Sequence, residues 1–204
     1  MFLRVWHAIR EGYLRLTEPL AAWCVRVGIS PNALTVAGTL CCAATGVLFG
    51  AGWIRAAGWT LGLTAFFDVI DGAVARRSGA ASVFGAFFDS TLDRVADAFL
   101  FGGLAWFFAA PGPHRSLPMV GVALVALSAV QITSYTRAKA DALGVDLKGV
   151  GALERPERIT LLAAPQAFFG LMFAGWVLRG VVILLAATAV WTVIQRVRHV
   201  AQRA

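Results

Sequence analysis

Long apolar runs broken by short polar clusters set the outline of the chain. Crossing the hydrocarbon of a bilayer takes about 20 helical residues, and six such stretches follow one another: 33–53, 57–76, 84–109, 117–140, 157–175 and 178–199. The interruptions carry helix start and stop signals. Ser30-Pro31-Asn32 precedes the first run, Arg77 to Ser82 separates the second from the third, and Pro111-Gly112-Pro113 follows the third. Residues 141–156, with Gly144, Gly149, Gly151 and Pro156, form the one substantial polar loop. Ahead of the first run, Phe2, Trp6, Ile9, Tyr13, Leu16 and Leu20 recur at spacings of three and four. That pattern predicts an amphipathic helix over 2–26 lying in the membrane interface. The expected architecture is all-α: a polytopic membrane protein with six transmembrane helices (33–199) and an N-terminal interfacial helix, one domain over 1–204 without internal repeats.

Composition agrees. The chain has 204 residues, is 59% hydrophobic and 14% charged, and carries seven tryptophans and fourteen phenylalanines. A soluble domain of this length cannot hide that much apolar surface. Arg4, Arg10, Glu11, Arg15, Glu18 and Arg26 put too many charges into 2–26 for a secretory signal. The net charge of +7 reads as membrane topology and contact with anionic lipid rather than nucleic-acid binding. With both termini cytoplasmic, only Arg55, Arg115 and Arg179 fall on the far side, a positive-inside bias that sets the orientation in the cytoplasmic membrane. The three cysteines, Cys24, Cys41 and Cys42, lack metal-ligand spacing and read as small hydrophobes.

Against this background five carboxylates stand out between Phe66 and Asp97. Asp68 and Asp71 are three apart, and Asp89 and Asp93 are four apart, so each pair shares a helix face. The short connection at Arg77–Val83 predicts that the two helices are antiparallel neighbours with four carboxylates at one depth, near the cytoplasmic side. Left unpaired in a bilayer, each would be costly, and Arg94 alone cannot neutralise them. Oxygen ligands without nearby His or Cys suit Mg²⁺, Mn²⁺ or Ca²⁺ rather than Zn²⁺, and four of them suffice for two ions about 4 Å apart. Gly72 bares the backbone beside Asp71, and Arg76 on the next turn suits a phosphate oxygen. Together these features describe a phosphate-handling centre.

The stretch spells Asp68-x-x-Asp71-Gly72-x-x-Ala75-Arg76, eight residues, then Gly85-x-x-x-Asp89-x-x-x-Asp93. It resembles the signature of the CDP-alcohol phosphotransferase family at every position, and the six-helix layout extends the resemblance over nearly the whole chain. The resemblance implies cleavage of the pyrophosphate of a CDP-linked lipid, transfer of the phosphatidyl group to an alcohol and release of CMP. It implies that Asp68, Asp71, Asp89 and Asp93 ligate two Mg²⁺ ions, for which Mn²⁺ can substitute, with Asp93 also the general base. It implies that Gly72, Arg76 and Ser82, with the Pro31-Asn32-Ala33-Leu34-Thr35 segment, contact CDP-diacylglycerol, and that the protein is a homodimer. Asp97 lies outside the signature and stays unassigned.

The acceptor has to be argued elsewhere. The fourth helix ends in QITSYTRAKAD, with Ser134, Arg137 and Lys139 on nearby turns, and GALERPERIT brings Arg155 and Arg158 to the start of the fifth. Convergence of these ends would make a cationic pocket for an acceptor that itself carries phosphate. The SYTRAKAD and ERPER stretches resemble the actinobacterial branch that makes phosphatidylinositol phosphate. The resemblance implies that Ser134, Arg137, Lys139, Arg155 and Arg196 hold the phosphate of inositol 1-phosphate. Glycerol 3-phosphate, also phosphorylated, is the alternative acceptor. A membrane cation carrier leaves Arg76 and Gly72 unexplained. An aspartate-rich prenyltransferase needs a second acidic motif that 98–204 lacks.

Overall fold

Capping serines and prolines start the helices where the sequence pattern puts them. In the computed structural model, residues 18–79 and 82–203 are described, and all regular elements among them are helical. Helix α1 (Pro31–Gly50) begins with Pro31 in its first turn, and the Ser30 side chain accepts a hydrogen bond from the Ala33 amide. Helix α2 is Ile54–Ser78, ended by Gly79 at φ 65°. Ser82 caps α3 (Val83–Ala109) and Ser116 caps α4 (Leu117–Ala142). Helix α5 (Arg155–Phe169) opens with a capping box formed by Glu154 and Glu157. A 3₁₀ turn, Phe173–Gly175, leads into α6 (Trp176–Ala201).

The six helices close into a ring. α1 packs on α2 and α3, α3 on α4, α4 on α6, α6 on α5, and α5 back on α2. The seams close tightly because glycine removes side chains there. A Cβ on Gly103 would overlap the Gly46 backbone, and one on Gly58 would overlap the backbone of Gln166 and Ala167. The shared core includes Phe49, Leu61, Leu104, Phe108, Val130 and Leu178, while Trp53, Trp59, Trp106 and Trp176 stay exposed on the outside. α1, α4 and the stretch Phe173–Ala201 are long and apolar enough to cross a membrane. α2 and α3 are longer than α1, at 25 and 27 residues, but carry the aspartates and arginines.

Two expectations need correction. α2 and α3 are not packed neighbours: among the described residues, no contact joins them as it joins the other pairs, and α1 lies against both. The carboxylates therefore face each other across a gap rather than in a helix–helix seam. The fifth span was expected over 157–175, yet α5 ends at Phe169. Gly170 adopts φ 54°, and Phe173 and Ala174 are also left-handed, so apolar composition masked a break that only backbone conformation reveals. At 15 residues α5 is roughly 22 Å long. The predicted interfacial helix is described only over 18–27, which is helical; residues 2–17 lie outside the described residues. Ala21 and Cys24 of this stretch pack against Leu34, Ile70 and Val74, and Glu18 pairs with Arg77 at 3.4 Å. All three cysteines are free.

Candidate active site

Helical spacing, local caps and the ring arrangement assemble the site. Asp68 and Asp71 project from α2, Asp89 and Asp93 from α3. Asp68 and Asp89 are exposed, Asp71 and Asp93 half-buried, and Asp97 buried. The gradient suits a centre that ligands enter from one open side.

Asp71 and Asp89 belong to a cavity of about 210 Å³, whose wall also includes Pro31, Asn32, Thr35, Gly72 and Ser82. The segment before the first span and the α2 glycine, far apart in sequence, thus form one wall. Thr35 Oγ1 lies 3.0 Å from Asp71 Oδ2 and donates to it, fixing that carboxylate from α1. A Cβ on Gly72 would meet Arg76 Nη1 at 3.3 Å, so the guanidinium folds over the bare backbone. The Asn32 side chain faces Gly85. Ala33 and Leu34 sit apart: Ala33 supplies the capping amide and Leu34 is buried in the core.

Asp68 and Asp93 converge instead on a cation of the chain. Arg155 Nη1 lies 2.8 Å from Asp68 Oδ2 and 2.7 Å from Asp93 Oδ1. Burial at the head of α5, ahead of the predicted fifth span, disfavours this guanidinium's charge, but Asp93, Asp68 and Asp97 outweigh it and hold its pKa above the ordinary value. Among the described residues no three His, Cys, Asp or Glu side chains close round one point. The donor chemistry still fits hard divalent cations. All four groups are carboxylates, and two already share a single positive centre at hydrogen-bonding distance.

The remaining basic residues divide. Arg196 is buried; its Nε donates to the Val150 carbonyl at 3.1 Å and its Nη1 to the Thr133 carbonyl, so it ties the 143–154 loop to α4. Thr192 adds a second tie by accepting from the Ala152 amide at 3.0 Å. The charges of Arg137 and Arg158 both reach Arg196, and Ser134 lies one turn before Arg137. Lys139, two residues on, lines a groove with Tyr135, Leu143, Arg196, Val197 and Val200. Lys139 thus shares a groove with Arg196, and no carboxylate among the described residues lines that groove. Two residues without an assigned role join the site: Arg158, one turn after Arg155, and Asp97, one turn after Asp93. Their helical spacing was the available signal.

Residues 28–194 match the CDP-alcohol phosphatidyltransferase family. The chain belongs to this family. It is 37% identical over 192 residues to the phosphatidylinositol phosphate synthase of Mycobacteroides abscessus, covering 94% of this chain and 86% of that protein. It is 35% identical over 194 residues to the Mycobacterium tuberculosis phosphatidylinositol phosphate synthase, covering 94% and 88%. The crystal structure of the M. tuberculosis enzyme with CDP-DAG bound superposes with a TM-score of 0.82 at 35% identity, over 91% of this chain and 94% of that one. Its complex with manganese and citrate gives a TM-score of 0.81, over 91% and 88%. As a CDP-alcohol phosphatidyltransferase, the chain has its signature aspartates on two helices that face across the gap beside α1.

Proposed function

We propose that this protein transfers the phosphatidyl group of CDP-diacylglycerol to inositol 1-phosphate, giving phosphatidylinositol phosphate and CMP. The observation that carries the reading is Arg155, a guanidinium suited to phosphate, lying on Asp68 and Asp93 beside the cavity bounded by Asp71 and Asp89. The protein spans the cytoplasmic membrane with six helices, its termini and active site on the cytoplasmic side. The basic residues support that orientation, since only Arg55, Arg115 and Arg179 fall on the far side.

Asp68, Asp71, Asp89 and Asp93 hold two Mg²⁺ ions, or Mn²⁺. Bound there, the ions would supply charge stabilisation for the pyrophosphate as it is displaced. The cavity walled by Asn32, Thr35, Gly72 and Ser82 takes the cytidine nucleotide, where the bare Gly72 backbone admits it closely and Arg76 meets its phosphate. Arg155, Arg137 and Ser134 receive the acceptor's phosphate and present its hydroxyl. Asp93 takes the hydroxyl proton as the oxygen attacks the β-phosphorus, and the bond from that phosphorus to the bridging oxygen breaks as CMP leaves.

The test is CMP release from CDP-diacylglycerol by purified protein with Mg²⁺, adding inositol 1-phosphate, glycerol 3-phosphate or inositol in turn. Release with inositol 1-phosphate alone is expected. Release with glycerol 3-phosphate alone overturns the acceptor and keeps the reaction class.

A further inference from the structure

Asp97 has no part in the reaction just described, yet it is the most deeply buried of the five aspartates between Phe66 and Asp97, at 7% exposure. A carboxylate there needs cationic partners. It shares the wall of a small cavity with Arg155 and Arg158, and the rest of that wall, including Leu100, Ile159 and Leu185, is apolar. The Nε atoms of both arginines are buried and have no acceptor among the described residues. Asp97 is the carboxylate whose charge acts most strongly on Arg158. Arg94, one turn back along α3, adds a weaker positive field.

Arg155 connects this cluster to the reaction. Its present partners, Asp68 Oδ2 and Asp93 Oδ1, belong to the proposed metal ligands, so a divalent cation competes with the guanidinium for their negative charge. With those carboxylates neutralised by metal, Asp97 is the neighbouring anion outside the ligand set that still attracts the arginine. The geometry points to Asp97 as a positioning residue that holds Arg155 together with Arg158, keeping Arg155 directed at the acceptor phosphate while Asp68 and Asp93 bind metal. This rests on the assignment of Arg155 to the acceptor phosphate.

Asp97→Asn keeps the shape and removes the charge. In full-length protein it is expected to raise the acceptor KM about tenfold or more with the CDP-diacylglycerol KM within about twofold. Mn²⁺ affinity, read by electron paramagnetic resonance without substrate, is expected to fall, because Arg155 stays on Asp68 and Asp93. Adding Arg155→Gln to Asp97→Asn should restore Mn²⁺ binding but not the acceptor KM. If Asp97→Asn lowers thermal stability and affects both KM values alike, with Mn²⁺ affinity unchanged, the residue is merely structural and the inference is overturned. Should Asp97→Asn not fold, Asp97→Glu keeps the charge one methylene further out. It should raise the acceptor KM with Mn²⁺ affinity preserved, and wild-type behaviour in both overturns the inference. Failure of the acceptor assignment shows separately, as an unchanged acceptor KM in Arg155→Gln alone, and takes the positioning role with it.

Discussion

The Thr35 hydroxyl on α1 lies 3.0 Å from Asp71 Oδ2 on α2, so a residue before the acidic motif in sequence fixes the orientation of a carboxylate within it. Thr35→Val keeps the shape and removes this donor. Outer groups that orient metal ligands contribute about 10- to 100-fold in affinity or activity. The variant is therefore expected to need about tenfold more Mg²⁺ for half-maximal CMP release, with a thermal midpoint close to wild type. A metal titration of activity checks this.

Gly102 and Gly103 are neighbours with opposite surroundings. A Cβ on Gly103 overlaps the Gly46 backbone, while one on Gly102 meets nothing within 4 Å. Gly103→Ala must push α1 and α3 apart and is expected to cost roughly 1–3 kcal/mol, as overpacking does. Gly102→Ala should be close to neutral. Thermal unfolding of the two variants in detergent makes the comparison, and equal midpoints would contradict the α1–α3 seam.

Asp93 accepts an ion pair from Arg155 at 2.7 Å and is the proposed base. Asp93→Asn cannot take the hydroxyl proton, so turnover should fall by at least about 100-fold, the lower range for general-base catalysis. CDP-diacylglycerol binding should persist, because Asp93 is not in the wall of the nucleotide cavity, which includes Asn32, Thr35, Asp71, Gly72 and Asp89. Single-turnover CMP release and equilibrium donor binding separate the two effects.

The order of helices and the pairing of aspartates within each helix were legible because apolar runs and spacings of three and four are local properties. The gap between α2 and α3 was not. A short connection suggests neighbours, but Gly46 and Gly103 let α1 and α3 approach closely, and no local pattern announces such a long-range contact. The break after Phe169 stayed hidden for a related reason, since Phe173 and Ala174 are apolar residues in left-handed conformations. Arg155 was legible as a cation near the site, but its place on Asp68 and Asp93 depends on how α5 docks against α2.

Arg137 and Lys139 were read together from sequence, yet residues two apart on a helix point about 200° from one another. Lys139 is exposed in a groove that it lines with Tyr135, Leu143, Arg196, Val197 and Val200, and the charge of Arg137 also reaches Arg196, which braces the loop leading to Arg155. Arg137→Met is therefore expected to raise the inositol 1-phosphate KM about tenfold or more, the loss of one charge-assisted phosphate contact. Lys139→Met should leave that KM within about twofold, because a side chain on the outer groove loses only a solvated charge. Acceptor titrations of the two variants at saturating donor decide between them. A larger effect at Lys139 would mean that the end of α4 turns its other face to the acceptor.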